Sequence, residues 1–298
     1  MPAPSQLLIP PTFEGRPLRH PDEHVFDQGL AFDVETLLNR RQVLRAMGYG
    51  AVSAGLFSLI GCGPAISSAT PGATSGASAA TSSSGVADCT TIPEETAGPY
   101  PGDGTNGPDV LNQSGVVRAD IRSSFGSSTT VASGVPLTIR LAILDLAKSC
   151  APIDGAAVYL WHCDQAGRYS LYSQGATNEN YLRGVQAAGA DGIVTFTSIF
   201  PACYAGRWPH IHFEVYPSLD KATDAGNKIA TSQIALPEDI CNQVYATSGY
   251  EQSVQNLAGV SLARDNVFGD DGGVHELGAI SGAIAGGLTV DLSVPVQA

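Results

Sequence analysis

After residue 88 the apolar residues come in short runs, each closed by glycine, proline or aspartate, and this constrains the fold more than any other feature of the chain. Val135–Leu146, Gly155–Cys163, Gly192–Ser198, Pro209–Tyr216 and Gly287–Val296 are rich in β-branched and aromatic residues. Between them stand turn signals such as Pro152-Ile153-Asp154-Gly155, Asp164–Gly167 and Ala190-Asp191-Gly192. Such residues either preset φ for a turn or tolerate positive φ, so each signal ends a strand. Short strands at this spacing predict an all-β fold, a β-sandwich over residues 88–298. Glu251–Leu257 is the one stretch expected to form a short helix. Composition agrees, because 34 Gly and 19 Pro with only 14% charged residues suit a turn-rich β protein better than a helical bundle.

The chain before this domain reads differently. Gly63–Ala87 is built almost wholly from Gly, Ala, Ser, Thr and Pro; it cannot bury enough apolar surface to order itself and reads as a flexible linker. Flexible-chain scaling gives it a mean reach of about 25–30 Å. Upstream, Arg40 and Arg41 precede a weakly apolar run that ends in Leu59-Ile60-Gly61-Cys62. The run is too short and too rich in Gly and Ala to span a bilayer. Residues 1–62 resemble a leader with a twin-arginine export signal, ending in a lipobox-like Cys62 of the lipoprotein kind. The expectation is an exported protein of the cell envelope or exterior, tethered to a membrane through a lipid on Cys62. A short buried helix followed by a loop is the other reading of this stretch.

Charge and cysteines narrow the partners. Fifteen Lys and Arg against 28 Asp and Glu leave a net charge of −13, which repels nucleic acid and anionic membrane surfaces. An aromatic acid would therefore need a local cation to bind, and Arg118, Arg122 and Arg183 are possible partners. With Cys62 set aside, Cys89, Cys150, Cys163, Cys203 and Cys241 remain, and no CxxC is present. The spacing matches no zinc pattern, and pairing in an exported domain is open. Cys163 with Cys203 is one possible bridge; two buried thiols is the other reading.

The chemistry concentrates in Pro209–Phe213, the sequence PHIHF. On a strand, His210, His212, Glu214 and Tyr216 share one face, and Ile211, Phe213 and Val215 the other. Histidines at i and i+2 place their Cα atoms about 6.5–7 Å apart, a spacing that suits two sites on one metal. Alone, an HxH pair fits many metals or none. Upstream, PACYAGRWPHIHF adds Tyr204 and Arg207, and WHCDQAGRYS adds Tyr169 beside a hairpin turn.

These two segments resemble the ligand-bearing segments of intradiol ring-cleavage dioxygenases, the family of catechol 1,2- and protocatechuate 3,4-dioxygenases. Glu95-Thr96-Ala97-Gly98-Pro99-Tyr100 and Leu182–Gln186 are similar to two further family segments, in the same order. The resemblance implies Fe(III) held by Tyr169, Tyr204, His210 and His212, with Arg207 over the substrate ring and Gln233 beside the metal. It implies a catechol-type diol and O2 as substrates, a muconate-type dicarboxylate as product, and Tyr204 as the phenolate that the diol displaces. Phenolate suits ferric iron because a hard, electron-rich donor stabilises the hard trication. Two departures stand out. Trp208 occupies a position where a smaller residue is expected, so its ring could narrow the pocket. The Pro217–Lys228 segment looks expanded, which leaves Gln233 far from the histidines in sequence. Two rivals remain: an HxH Fe(II) oxygenase completed by a carboxylate, and an exported β-sandwich binding lipoprotein without turnover.

Overall fold

The computed structural model describes Cys89–Ala298 and the backbone of two short antiparallel strands, β1 (Thr12–Phe13) and β2 (Arg16–Pro17). The chain divides into two units, Met1–Gly85 and Val86–Ala298. The twin-arginine pair, Cys62 and the 63–87 linker lie outside the described residues.

The second unit is built on two sheets. One joins β3 (Pro136–Asp145), β4 (Ala151–Pro152), β7 (Ile193–Ile199), β10 (Ala279–Ala283) and β11 (Gly287–Val296). Its centre is β3, which runs parallel to β11 along one edge and antiparallel to β7 and β4 along the other. The second sheet has the order β6 (Arg183–Ala187), β5 (Ala157–Trp161), β8 (His210–Tyr216) and β9 (Ala230–Ala235), all antiparallel. Alternation along the strands builds the core between them. Leu137, Ile139, Leu141 and Ile143 of β3 meet Val158 and Leu160 of β5 and Ile211, Phe213 and Val215 of β8. Each such side chain, fully withdrawn from water, contributes about 1.5–3 kcal/mol. The all-β sandwich expected from the sequence is the fold observed.

The second sheet is buried on both faces, and this sets the position of the site. Its outer face carries Tyr159, Trp161 and Tyr216, which pack in a separate cluster with Val110, Val116, Cys163 and Tyr169. The loops before β3 and after β5 therefore roof this face, and every residue of β8 is buried. The polar members of β8 are withdrawn from water without being in the inter-sheet core.

Two helices follow β9: α1 (Glu238–Tyr245) and α2 (Glu251–Ala258). The sequence predicts only the second. The first opens after Pro237, carries Glu238 and Asp239 in its first turn, and buries Cys241, Val244 and Tyr245. Proline followed by acidic residues is an N-terminal signature.

Of the cysteines, Cys89 and Cys150 form a disulfide with a sequence separation of 61, while Cys163, Cys203 and Cys241 are buried free thiols. The Cys163–Cys203 bridge is therefore absent; each thiol instead faces a backbone carbonyl, Cys163 that of Ala202 and Cys203 that of Arg207, both at 3.5 Å. Closing a loop of this length restricts the unfolded chain, and Cys150→Ser is expected to lower unfolding free energy by about 2–4 kcal/mol. Urea titration of wild type and variant measures it; coincident midpoints would mean that the bridge does not stabilise the fold.

Candidate metal centre

Strand β8 presents His210 and His212 on the roofed face, two residues apart, and β9 delivers Gln233 directly opposite His212 in antiparallel register. The segment between the two strands is long, yet the pairing of β9 with β8 makes its length irrelevant to where Gln233 sits. Tyr169 arrives from the loop after β5, and Tyr204 from the loop before β8. The four donors meet around one atom. His210 Nε2 lies 3.1 Å from His212 Nε2, 3.2 Å from Tyr204 Oη and 3.4 Å from Tyr169 Oη. Two ligands about 2.0–2.1 Å from a common metal, at angles of roughly 90–110°, are about 2.9–3.4 Å apart, and the observed separations fall in that range.

The proton positions support a cation there. His210 Nδ1 lies 2.5 Å from the carbonyl oxygen of Trp208, which can only accept, so the ring proton sits on Nδ1 and the Nε2 lone pair faces the cluster. This is the arrangement that fixes the tautomer of a metal-bound histidine. His212 stacks on Trp161 with ring centroids 4.9 Å apart and planes within 6°, and its buried Nδ1 has no hydrogen-bond partner. If its proton is on Nδ1, two lone pairs oppose each other across 3.1 Å; if on Nε2, the buried Nδ1 lone pair goes unsatisfied. A metal ion between the two Nε2 atoms removes the repulsion in the first case.

Electrostatics bears on what kind of ion these donors could hold. Burial pushes both histidines well below their ordinary range, with the neighbouring Arg207 adding to the effect, so both stay neutral as ligands must. Burial raises both phenols above theirs; the neighbouring Tyr204 reinforces this at Tyr169, whereas Arg207 opposes it at Tyr204. Driving the protons off two phenols this reluctant to ionise would take a highly charged, hard cation. Carboxylates are missing from the set. Glu214 shares the histidines' face but accepts from Lys228 at 2.9 Å and Tyr216 at 2.7 Å. Among the described residues no group of three or more His, Cys, Asp or Glu could hold a metal. That observation counts against the carboxylate-completed HxH alternative.

Arg207 is almost fully buried and hydrogen-bonded on two sides. Its Nη2 donates to Gln233 Oε1 at 2.7 Å, and its Nη1 stands 3.5 Å from His210 Nε2. Gln233 in turn donates to the carbonyl of Thr96 at 2.9 Å, which draws the 95–100 segment over the site. Gly98 there has φ +70°, and a Cβ on it would sit 3.2 Å from His212 Cε1, so a side chain would press on the histidine. Tyr169 is 1% exposed whereas Tyr204 is half-buried, which makes Tyr204 the more displaceable of the two phenols.

Two expectations are corrected. Trp208 does not narrow the pocket: its ring lies in the inter-sheet core and donates from Nε1 to the Leu236 carbonyl at 2.9 Å. Nor are Arg118 and Arg183 available for a substrate carboxylate. Arg118 is committed to the carbonyls of Arg183 and Asn180, and burial lowers its pKa to about 10. Arg122 pairs with Asp120 at 2.7 Å, and Arg183 is saturated by neutral oxygens. Sequence reasoning also missed Asp265, whose buried carboxylate pairs with Arg207 at 3.0 Å.

A family model described as "Dioxygenase" matches residues 106–219, the segment that carries Tyr169, Tyr204, Arg207, His210 and His212. Among solved structures, an intradiol ring-cleavage dioxygenase from Tetranychus urticae is similar over 70% of this chain and 95% of its own, at 25% identity and a TM-score of 0.55. A second dioxygenase structure matches with the same identity and coverage and a TM-score of 0.56. No curated protein sequence matches. The family model falls on the segment that holds the converging donors, and the fold extends over nearly the full length of these relatives. The segment with the converging donors thus matches a dioxygenase family model, and the fold of residues 89–298 is similar to that of intradiol ring-cleavage dioxygenases.

Proposed function

We propose that this protein is a non-haem Fe(III) dioxygenase that opens a catechol-type ring between its two hydroxyl-bearing carbons, using O2 and giving a muconate-type dicarboxylate. The observation that carries the reading is the convergence of two phenol oxygens and the His212 Nε2 at 3.1–3.4 Å from His210 Nε2. Tyr169, Tyr204, His210 and His212 would hold the iron. Bound Fe(III) would supply a Lewis acid that the diol chelates and that favours loss of the diol's protons, the dianion being the electron-rich form that can react with O2.

The chain's own residues do the rest. Tyr204, the more exposed phenol, is the donor that a bound diol would displace, and its Oη would take up one of the diol's protons. Arg207 places a fixed cation where negative charge develops on the substrate, and Gln233 holds that guanidinium from the opposite edge. Removing a preorganised donor of this sort costs about 3–4 kcal/mol of transition-state stabilisation. The roofed face excludes bulk water, which strengthens these charge interactions. Export and lipid tethering through Cys62 extend the proposal, and the Cys89–Cys150 disulfide supports an oxidising compartment.

The test is oxygen uptake by the purified, iron-loaded protein across catechol, protocatechuate, hydroxyquinol and chlorinated catechols. One O2 is expected per ring opened, by a red-brown protein. A colourless protein that takes up no oxygen with any diol would overturn the reading. Coloured, iron-bearing protein without uptake would favour a binding protein that retains the fold.

A further inference from the structure

We infer that Asp265 is a positioning residue that aims Arg207 at the reacting centre. The inference rests on the reading just given, and it adds to it a group 58 residues away from Arg207 along the chain.

The Asp265 side chain is 0% exposed and its two oxygens accept from Arg207, Trp208, Val267 and Phe268. Oδ2 takes Arg207 Nε at 3.0 Å and Trp208 N at 2.6 Å. Oδ1 takes Arg207 Nε at 3.3 Å, Val267 N at 2.9 Å and Phe268 N at 3.2 Å. The guanidinium is thus held at Nε by Asp265 and at Nη2 by Gln233, leaving Nη1 as the edge that faces His210 Nε2. Rotation about the guanidinium plane would break one of these anchors. The Trp208 N–H that Asp265 holds belongs to the same residue whose carbonyl faces His210 Nδ1. Phe268, from the same turn, closes the arrangement with its ring centroid 5.8 Å from Arg207 Cζ and 6.5 Å from the His210 ring.

A buried cation beside a metal needs a buried counter-charge. Burial works against the charge on Arg207, but Tyr204 and Asp265 more than offset it. Asparagine in place of Asp265 would keep the volume while removing the charge, and its amide N–H would oppose a backbone or guanidinium N–H. Serine is a different probe. Its hydroxyl can still accept the Val267 N–H and keep the turn, but it offers Arg207 no carboxylate.

The experiment compares Asp265→Asn, Asp265→Ser, Arg207→Gln and the Asp265→Asn/Arg207→Gln double variant in the full chain. Iron content, the visible phenolate-to-iron band, kcat, KM and the urea midpoint are measured for each. Asp265→Asn should retain iron and its band, lower kcat about 10–100-fold and leave KM nearly unchanged. Asp265→Ser should regain only the stability that the turn supplies, without recovering kcat. Because Asp265 acts through Arg207, the double variant should be no slower than Arg207→Gln alone, and its urea midpoint should exceed that of Asp265→Asn, since the unpaired buried cation is gone. Losses in kcat that multiply, or full activity in Asp265→Ser, overturn the inference. The midpoint comparison needs no turnover. A wild type inert toward every diol would therefore sink the proposed function while the coupling of Asp265 to Arg207 is still decided.

Discussion

Replacing Tyr169 by phenylalanine is expected to abolish the visible colour of the protein and its retention of iron together. Phenylalanine fills the same buried space, so packing against Tyr100, whose ring centroid lies 4.8 Å away, is retained and the fold should survive. What goes is the oxygen 3.4 Å from His210 Nε2. Loss of a group that merely supports a metal ligand costs about 10–100-fold in affinity, and loss of a ligand costs at least as much. Iron affinity should therefore fall by roughly a hundredfold or more, with ring-opening activity following the iron. Tyr204→Phe is the informative comparison, because the half-buried phenol is the one that substrate would displace under the proposed function. That variant should keep more iron and show a shifted, weaker band. Burial holds both phenols above their ordinary range, so loading the metal releases their protons, and iron retention in the wild type should weaken as pH falls. Metal analysis with absorption spectra from acid to neutral pH provides the check. A Tyr169→Phe protein with wild-type colour and iron would remove Tyr169 from the ligand set.

Much of this centre is legible in the sequence because strand periodicity is a local property. The pattern His-Ile-His-Phe-Glu-Val-Tyr places His210, His212, Glu214 and Tyr216 on one face and Ile211, Phe213 and Val215 on the other, and the structure sorts them into the outer face and the inter-sheet core. Tyr169 and Tyr204 sit on loops, so periodicity says nothing of them; only the resemblance of their segments to a family brings them to the metal. What stays hidden is chemistry that crosses the fold. Asp265 lies in the turn after α2, and no local signal ties it to Arg207. Its own backbone acceptance of Val267 N and Phe268 N marks it only as a turn aspartate. The strand β9, Ala-Thr-Ser-Gln-Ile-Ala, is not among the strands expected from the sequence, since its polar Thr231, Ser232 and Gln233 are buried by partners from other segments. Trp208 misleads for a related reason. It stands next to Arg207 in sequence, yet the chain turns between them, and its indole finds the Leu236 carbonyl in the core.

Arg183→Met should give the largest loss of stability among single substitutions at the outer face. Arg183 opens β6, is 1% exposed, and gives its N–H groups to five neutral oxygens. Nε donates to Ser170 Oγ at 3.0 Å, and Nη1 to Pro101 O at 2.7 Å and Tyr159 Oη at 3.1 Å. Nη2 donates to Tyr100 O and Ser170 O, both at 2.9 Å. One side chain thereby fastens the 95–101 segment and the Tyr169 loop to the sheet. The neighbouring Gly102, at φ +67°, is kept bare by it, since a Cβ there would lie 2.8 Å from Nη1. Methionine matches the length but donates nothing, so several buried acceptors lose their partners at about 1–3 kcal/mol each. Removing a buried cation returns part of that through desolvation, and a net loss of about 4 kcal/mol is expected. That is a large share of the roughly 5–15 kcal/mol that stabilises a typical domain. Lysine keeps the charge but offers a compact ammonium in place of a planar fork, so Arg183→Lys should fall between methionine and wild type. Because Ser170 adjoins Tyr169, iron retention should decline in the same order as the urea midpoints. Equal midpoints for all three proteins would show that the roof is held by its apolar contacts, and that the five hydrogen bonds do no more than satisfy a charge the fold could do without.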